Sequence, residues 1–224
     1  MSDLRLVVFD VDGTLVDSQA DILAAMKIAF DEAELSAPTQ SEVLAIVGLS
    51  LHVAMPRLAP DAGINAHLFL EEAYKRAYMA LRAEQGAAKS SPLYPGAREV
   101  LDHLHGVPEI LLGVATGKSR RGLDKLLEGH ALQNLFVTEQ VADFHPSKPH
   151  PSMLQTALKE TGVMADRAVM VGDTSYDMDM ARAAGIAAIG VSWGYHSIQA
   201  MTAADIVIDS FEALPQALDE IWEK

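Results

Sequence analysis

Short apolar runs recur along the chain and alternate with segments of helical periodicity. The first run, residues 4–9, is rich in Val and Leu, and its nearly continuous apolar character predicts a strand buried on both faces. Similar runs lie at residues 110–115, 168–171, 187–191 and 206–208, and helical spacing occurs between them at residues 97–104, 152–161 and 176–184. This alternation predicts an α/β fold, a Rossmann-like parallel sheet with helices on both faces.

The region after the first strand has a different pattern. Residues 20–34, 41–58 and 66–85 are rich in Ala and Leu, with apolar positions three and four apart, which predicts three helices and no strand. Proline and glycine residues separate these helices. We therefore predict a helical cap, residues 17–90, that is inserted into a catalytic core made of residues 1–16 and 91–224.

Composition and charge exclude several classes of function. The formal net charge of −14 argues against a general nucleic-acid binder, because such proteins neutralise phosphates with clustered Lys and Arg. The chain has no cysteine, which removes disulfides, thiolate metal sites and cysteine nucleophiles. No apolar run approaches the length of roughly 20 residues that a membrane-spanning helix needs. We expect a cytoplasmic protein without a membrane or nucleic-acid partner, and we assume a monomer.

The first strand ends in the sequence Asp10-Val11-Asp12-Gly13-Thr14. In open parallel sheets the chemistry lies at the carboxyl ends of the strands, which is where these two carboxylates fall. Unpaired buried charge is costly, so a bound cation would explain both acids, and Gly13 would let the backbone approach an anion. An ordinary turn rich in Asp and Gly is the alternative interpretation.

Polar residues also follow the second strand and a later loop. Thr116 offers a hydroxyl, and Gly117 offers an amide that we expect at the start of the next helix, where anions are favoured. A Walker A loop is excluded, because it requires a glycine where Leu112 stands. Lys148 lies among three prolines that restrict the backbone, although a lysine taken alone is typical of a solvated surface.

Two further acids complete the set. Asp173 directly follows an apolar strand, and Asp177 falls in the expected first turn of the next helix, where acids are favoured by the helix dipole. Helix-start roles are the alternative for both. The strand order of a parallel sheet would gather these residues with Asp10 and Asp12 into one cleft. Together they suit a nucleophilic carboxylate, a hard-metal site and a counter-charge for a phosphoryl group.

These segments resemble the motifs of the haloacid dehalogenase superfamily, and the order and spacing agree over essentially the whole chain. The matching segments are Asp10-Val11-Asp12-Gly13-Thr14, Thr116, Lys148, and Gly172-Asp173 with Asp177. The helical insertion resembles the first-type cap of that superfamily. Residues 10–18 and the segments Tyr94-Pro95-Gly96 and Trp193-Gly194-Tyr195-His196 look most like the phosphoglycolate phosphatase group.

The resemblance implies roles for the acids. Asp10 would be the nucleophile and a magnesium ligand, and Asp12 would be the general acid and base and would give the metal its backbone carbonyl. Asp173 would complete the Mg²⁺ site. Asp12 distinguishes this chain from two other groups of the superfamily. The dehalogenases lack this second aspartate, and the phosphonate-cleaving members carry a small residue there.

The remaining implied roles concern the phosphoryl group. Thr116 and the Gly117 amide would hold its oxygens, Lys148 would stabilise their charge, and Asp177 would orient Lys148 or a metal-bound water. Close relatives commonly carry an asparagine at the position of Gly117, so contacts beyond the phosphate do not follow from the resemblance.

The resemblance favours a magnesium-dependent phosphatase that acts on a small phosphorylated metabolite through an aspartyl-phosphate. Phosphoglycolate is the leading substrate. A sugar phosphomutase on the same core is the alternative, because it uses both aspartates but relocates the phosphate instead of releasing it. A non-enzymatic binding module is a third interpretation, and it is disfavoured because each catalytic position holds a competent residue type.

Overall fold

The computed structural model describes residues 4–223, so residues 1–3 and 224 of the predicted core lie outside the described part. Six strands form one sheet: β1 (Arg5–Phe9), β2 (Ile110–Thr116), β3 (Thr138–Val141), β4 (Ala168–Gly172), β5 (Ala187–Val191) and β6 (Ile206–Ile208). All neighbouring strands are parallel, in the order β3-β2-β1-β4-β5-β6. The predicted α/β fold is confirmed.

Strand β1 lies in the middle of the sheet and is buried from both sides. Val7 and Phe9 pack into the apolar cluster on one face, and Leu6 and Val8 pack into the cluster on the other. This two-sided burial explains why the run is nearly continuous in apolar residues. Phe9 is in register with residues of both β2 and β4, so the carboxyl ends of the three strands meet at one edge of the sheet.

Five α-helices lie within residues 17–90, where the cap was predicted. These are α1 (Gln19–Glu32), α2 (Gln40–Leu44), α3 (Leu51–Leu58), α4 (Ile64–Gln85) and the single turn α5 (Ala87–Ser90). Met26, Phe30, Met55 and Leu70 are among the buried residues of a separate apolar cluster that these helices share. The boundaries of the cap as a domain stay a prediction.

The remaining helices cover the sheet. They are α6 (Ala97–His105), α7 (Arg120–Gly129), α8 (Ser152–Thr161), α9 (Ser175–Ala184) and α10 (Leu214–Trp222). Among the helices found between residues 4 and 223, none combines the length and the apolar character that crossing a membrane requires.

One predicted helix, residues 41–58, is wrong as a continuous element. Helix α2 ends at Leu44 and α3 begins at Leu51. Between them Gly48 has a φ of +95°, a left-handed conformation that ends a helix and that glycine adopts without steric cost. The segment from residue 45 to residue 50, here called the crossing segment, therefore does not extend a helix and contacts residues outside the cap instead.

Candidate active site

Three buried carboxylates converge at the carboxyl edge of the sheet. Asp10 follows β1, Asp173 follows β4, and Asp177 lies in the first turn of α9. Each is at most 1% exposed, and one oxygen from each lies within 4.8 Å of the others. The structure thus brings together three of the acids that the sequence singled out.

Lys148 lies between two of these acids. Its Nζ is 2.8 Å from Asp10 Oδ1 and 2.7 Å from Asp177 Oδ1, and its side chain is fully buried. The solvated-surface interpretation of this lysine is therefore wrong. Lys148 supplies one positive charge against three carboxylates, so the cluster retains an excess of negative charge.

That excess is reflected in the pKa values. Burial raises the pKa of Asp10 to about 7, because the attraction of Lys148 offsets only part of the cost and Asp177 adds repulsion. Burial, together with the charges of Asp10 and Asp177, likewise raises the pKa of Asp173 well above its usual range. Burial alone would lower the pKa of Lys148, but Asp10 and Asp177 raise it above its usual value, so the lysine is charged.

The donor set fits a hard divalent cation. Asp10 Oδ2 has no hydrogen-bond partner within residues 4–223. Asp173 is held by two donors, the Thr14 hydroxyl at 2.9 Å and the Tyr195 amide at 2.8 Å, and each of its oxygens keeps a free lone pair. Carboxylate oxygens are the ligands that Mg²⁺ prefers, and a divalent charge would neutralise the excess.

Asp177 has a different environment. Its Oδ1 accepts a hydrogen bond from Lys148, and its Oδ2 accepts from the Thr174 amide at 3.1 Å and the Thr174 hydroxyl at 2.6 Å. Both carboxylate oxygens of Asp177 thus accept hydrogen bonds from other groups of the protein. This arrangement favours a positioning role for Asp177 over direct metal binding.

The turn after β1 depends on a glycine. Gly13 has a φ of +83°, and a Cβ atom there would lie 2.2 Å from Asp173 Oδ2. The amides of Leu15 and Val16 both donate to the Val11 carbonyl, which closes the turn that follows Asp10. Only glycine allows the backbone to pass this close to the Asp173 carboxylate.

Asp12 makes contacts that the sequence did not reveal. Its Oδ1 accepts a hydrogen bond from the Ser18 hydroxyl and lies 2.8 Å from Lys118 Nζ, whose side chain is only 8% exposed. Tyr195 contacts the same site, since its hydroxyl accepts a hydrogen bond from the Ser18 amide at 3.0 Å. The only signal for Lys118 in the sequence is its position two residues after Thr116.

Thr116 and Gly117 occupy the end of β2. Thr116 is fully buried, and its hydroxyl accepts from the Lys118 amide at 3.2 Å. Helix α7 begins at Arg120 with Ser119 as its N-cap, so Gly117 does not start that helix, contrary to the prediction. A Cβ at Gly117 would lie 2.8 Å from the carbonyl oxygen of Gly48, in the crossing segment.

The crossing segment also contacts a loop and helix α9 of the predicted core. The Ser50 amide donates to the Ser147 hydroxyl at 2.9 Å, beside Lys148, and the Tyr176 hydroxyl donates to the Ala45 carbonyl at 2.9 Å. Next to these contacts, a cavity of about 630 Å³ opens between the strand ends and the inserted helices, and Asp12 is among the residues that line it. A small ligand in this cavity would therefore contact Asp12 from the side of the helices.

Comparison with known proteins agrees with this geometry. A family model described as haloacid dehalogenase-like hydrolase matches residues 7–191. The "Probable phosphatase IndB" of Dickeya dadantii is 35% identical over 215 residues, which cover 92% of this chain and 90% of that protein. A phosphoglycolate phosphatase of Aliivibrio fischeri is 30% identical over 217 residues, with 95% of each chain covered.

Solved structures share the fold. A hydrolase from Pseudomonas syringae has a TM-score of 0.83 at 25% identity, with 97% of this chain and 99% of that chain covered. A β-phosphoglucomutase from Clostridium difficile has a TM-score of 0.81 at 18% identity, with 99% and 100% covered, and this likeness concerns the fold alone. The match of the family model, the relatives named as phosphatases and the buried acids at the strand ends lead to one conclusion: the chain belongs to the haloacid dehalogenase-like hydrolase family, as a phosphatase.

Proposed function

We propose that this phosphatase hydrolyses a small phosphate monoester in two steps, with Asp10 as the nucleophile and Mg²⁺ as the cofactor. The observation that carries the proposal is the charge of the buried cluster, where three carboxylates share one lysine and Asp10 Oδ2 has no partner in residues 4–223. Asp10, Asp173 and the backbone carbonyl of Asp12 would hold the ion. When bound, Mg²⁺ would offset the repulsion between Asp10 and a negatively charged phosphoryl group.

In the first step an Asp10 oxygen attacks the phosphorus atom, and the bond between phosphorus and the ester oxygen breaks. Asp12 gives its proton to the departing oxygen, which leaves as an alcohol. The products of this step are an aspartyl-phosphate at Asp10 and an ionised Asp12. Lys118, 2.8 Å from the Asp12 carboxylate, stabilises that ionised state.

In the second step Asp12 takes a proton from a water molecule, and the resulting hydroxide attacks the phosphorus of the aspartyl-phosphate. The bond between phosphorus and the Asp10 oxygen breaks, which frees inorganic phosphate and restores both acids. During both steps Lys148 would neutralise charge on the phosphoryl oxygens, since Asp177 holds its ammonium group at 2.7 Å next to Asp10. Thr116 and the Gly117 amide would bind the same oxygens.

Phosphoglycolate is our leading substrate. It is supported by several relatives of about 30% identity that are named phosphoglycolate phosphatases and that align with more than nine-tenths of this chain. A cytoplasmic location, with no nucleic-acid or membrane partner, remains part of this proposal.

The proposal is tested by measuring inorganic phosphate release from a panel of small phosphate monoesters, with magnesium present and then removed by a chelator. We expect fast release from phosphoglycolate that stops on chelation and returns when magnesium is added. Release that is equal with and without magnesium would contradict the proposed cofactor.

The sugar phosphomutase remains the second candidate, because the fold is shared with a β-phosphoglucomutase and both aspartates are present. The same panel separates the two functions when it includes hexose phosphates. A mutase would move the phosphate between two hydroxyls of the sugar without releasing it, and a phosphatase would free it.

A further inference from the structure

The wall of the cavity beside Asp12 has more basic than acidic residues, whereas the whole chain has more acidic than basic residues. The chain carries 31 acidic and 17 basic residues, yet the basic residues outnumber the acidic ones six to three along the cavity wall. The basic residues are Lys75, Arg76, Arg82, Lys118, Arg121 and Lys125. Lys75, Arg76, Lys118 and Lys125 are ion-paired with carboxylates, whereas Arg82 and Arg121 form no ion pair within residues 4–223. The unpaired basic residues leave the wall a smaller excess of positive charge, which attracts anions even in an acidic protein.

Arg82 lies on α4, and two of its nitrogen donors form no hydrogen bond within residues 4–223. Its Nη1 donates to the Gly122 carbonyl at 3.3 Å, but Nε and Nη2 are buried and have no hydrogen-bond partner in the described part of the chain. These two nitrogens form one edge of the guanidinium plane, which matches the two oxygens of a carboxylate or phosphate. Buried donors without a partner are rare, because each costs the free energy of its lost hydration.

Lys118 lies on the same side of the cavity. The Arg82 guanidinium carbon is 5.7 Å from the centre of the Tyr78 ring, and Lys118 Nζ is 5.1 Å from the same centre. Lys118 Nζ also lies 3.2 Å from the Tyr78 hydroxyl and 2.8 Å from Asp12 Oδ1. Two cations thus face one aromatic ring, next to the residue that would protonate the leaving group.

The acid that could pair with Arg82, Asp21, already accepts another hydrogen bond. Asp21 is buried on α1, and its carboxylate accepts a hydrogen bond from the Ser90 hydroxyl. It forms no ion pair with Arg82 within residues 4–223. Burial raises the pKa of Asp21 and the charges of Arg82 and Lys118 partly offset this effect, so Asp21 attracts both cations from a distance, but it does not hydrogen-bond the free edge of Arg82.

We propose that Arg82 and Lys118 form a subsite for a second anion on the substrate, a carboxylate or phosphate carried by the leaving group. This inference rests on the proposed function for the reaction itself, and it adds the substrate class and a specificity-determining residue, Arg82. Ile22, Met26 and Ile46 also line the cavity, so its wall offers apolar surface to the carbon atoms between the two anionic groups.

The test compares substrates that differ only in the second anion. Phosphoglycolate and ethyl phosphate share the phosphate ester, but a methyl group in ethyl phosphate replaces the carboxylate. In Arg82→Met protein we expect kcat/KM for phosphoglycolate to fall roughly 10- to 100-fold, as for loss of a charge-assisted hydrogen-bond pair, and kcat/KM for ethyl phosphate to change by no more than about 2-fold. Arg82→Lys should recover part of the loss.

Arg182→Gln is the matched control, since Arg182 is exposed on α9 and does not line the cavity. It removes the same charge, and we expect both substrates to be unaffected. Unchanged turnover of ethyl phosphate by Arg82→Met protein shows in the same experiment that the variant is folded. Ethane-1,2-diol bisphosphate, compared with phosphoglycolate, distinguishes a phosphate from a carboxylate as the preferred second anion.

A binding measurement separates this inference from the proposed reaction. 3-Phosphonopropionate, in which a methylene group replaces the ester oxygen of phosphoglycolate, is compared by calorimetry with propylphosphonate, which lacks the carboxylate. Wild-type protein should bind the carboxylated compound more tightly, and Arg82→Met should remove that preference. A preference that survives in the variant, or an equal loss on both substrates, would overturn the subsite. Binding with an Arg82-dependent preference but without turnover would instead overturn the proposed reaction.

Discussion

Gly194 lies directly against Asp173: a Cβ atom at position 194 would fall 2.1 Å from the Cβ of Asp173. Gly194 and Tyr195 therefore lie against the proposed metal site, and the Tyr195 amide donates a hydrogen bond to Asp173 Oδ2 from the same turn. We expect Gly194→Ala to displace Asp173, to lower kcat/KM by at least about 100-fold and to cost roughly 1–3 kcal/mol of unfolding free energy, as overpacking does. Steady-state kinetics and urea unfolding measure the two effects.

Gly63→Ala is the control for that substitution. Gly63 has a negative φ, and a Cβ there would meet no atom within 4 Å. We expect this variant to keep the activity and stability of the wild type. Normal activity in Gly194→Ala protein would show that the Asp173 position is not needed.

Thr14 positions the other oxygen of Asp173 by donating a hydrogen bond of 2.9 Å to Oδ1. Thr14→Val keeps the shape of the side chain and removes that donor. Loss of such a supporting contact commonly weakens metal affinity by about 10- to 100-fold. We expect the magnesium concentration for half-maximal activity to rise by that factor, with a smaller change in kcat at saturating magnesium.

Thr202→Val, an exposed position, should leave the magnesium dependence unchanged. Titration of activity with magnesium for both threonine variants makes the comparison. A Thr14→Val enzyme with reduced kcat but an unchanged magnesium requirement would place the role of Thr14 elsewhere.

Asp10 makes the metal-free protein sensitive to pH. Its pKa is raised from 3.8 to about 7 in the folded state, mainly by burial, so the folded protein holds this proton more tightly than the unfolded chain does. The contribution of Asp10 to stability is therefore complete below about pH 4 and is lost as the pH rises through about 7. We expect Asp10→Asn to be more stable than the wild type near pH 8 by roughly 2–4 kcal/mol in chelator.

Urea unfolding near pH 5 and near pH 8, with chelator present, measures this difference. The advantage of Asp10→Asn should shrink at the lower pH and on addition of magnesium to the wild type. An advantage that is the same at both pH values would mean that ionisation of Asp10 does not limit stability.

Much of the fold could be predicted because its central strands are buried on both faces and therefore appear in the sequence as continuous apolar runs. Strand β3 (Thr138–Val141) was missed, since it is four residues long, lies at the edge of the sheet and includes Glu139 and Gln140. The break between α2 and α3 was missed for another reason. Apolar residues such as Val43, Ile46 and Val47 keep a helical spacing across it, although Gly48 turns the backbone.

The acids could be identified as candidates because they stand within a few residues of the ends of predicted strands, and Lys148 could because it stands in an unusual local sequence. The Lys118 contact with Asp12 could not, because it joins the segments that follow β1 and β2, and the free edge of Arg82 could not, because it depends on how α4 packs. Local sequence gives no distance between residues that are 36 or more positions apart, as Arg82 and Lys118 are.

The most direct test of the central claim is to trap the aspartyl-phosphate at Asp10. Asp12→Asn protein with magnesium would be mixed with 4-nitrophenyl phosphate, whose leaving group departs without a proton, quenched in acid and digested for mass spectrometry. Without its general base the enzyme should accumulate a phosphoryl group on the peptide that contains Asp10, and the double variant Asp10→Asn/Asp12→Asn should carry none. Nitrophenol release by Asp12→Asn protein with no phosphoryl group on that peptide, or with one on another residue, would contradict the account.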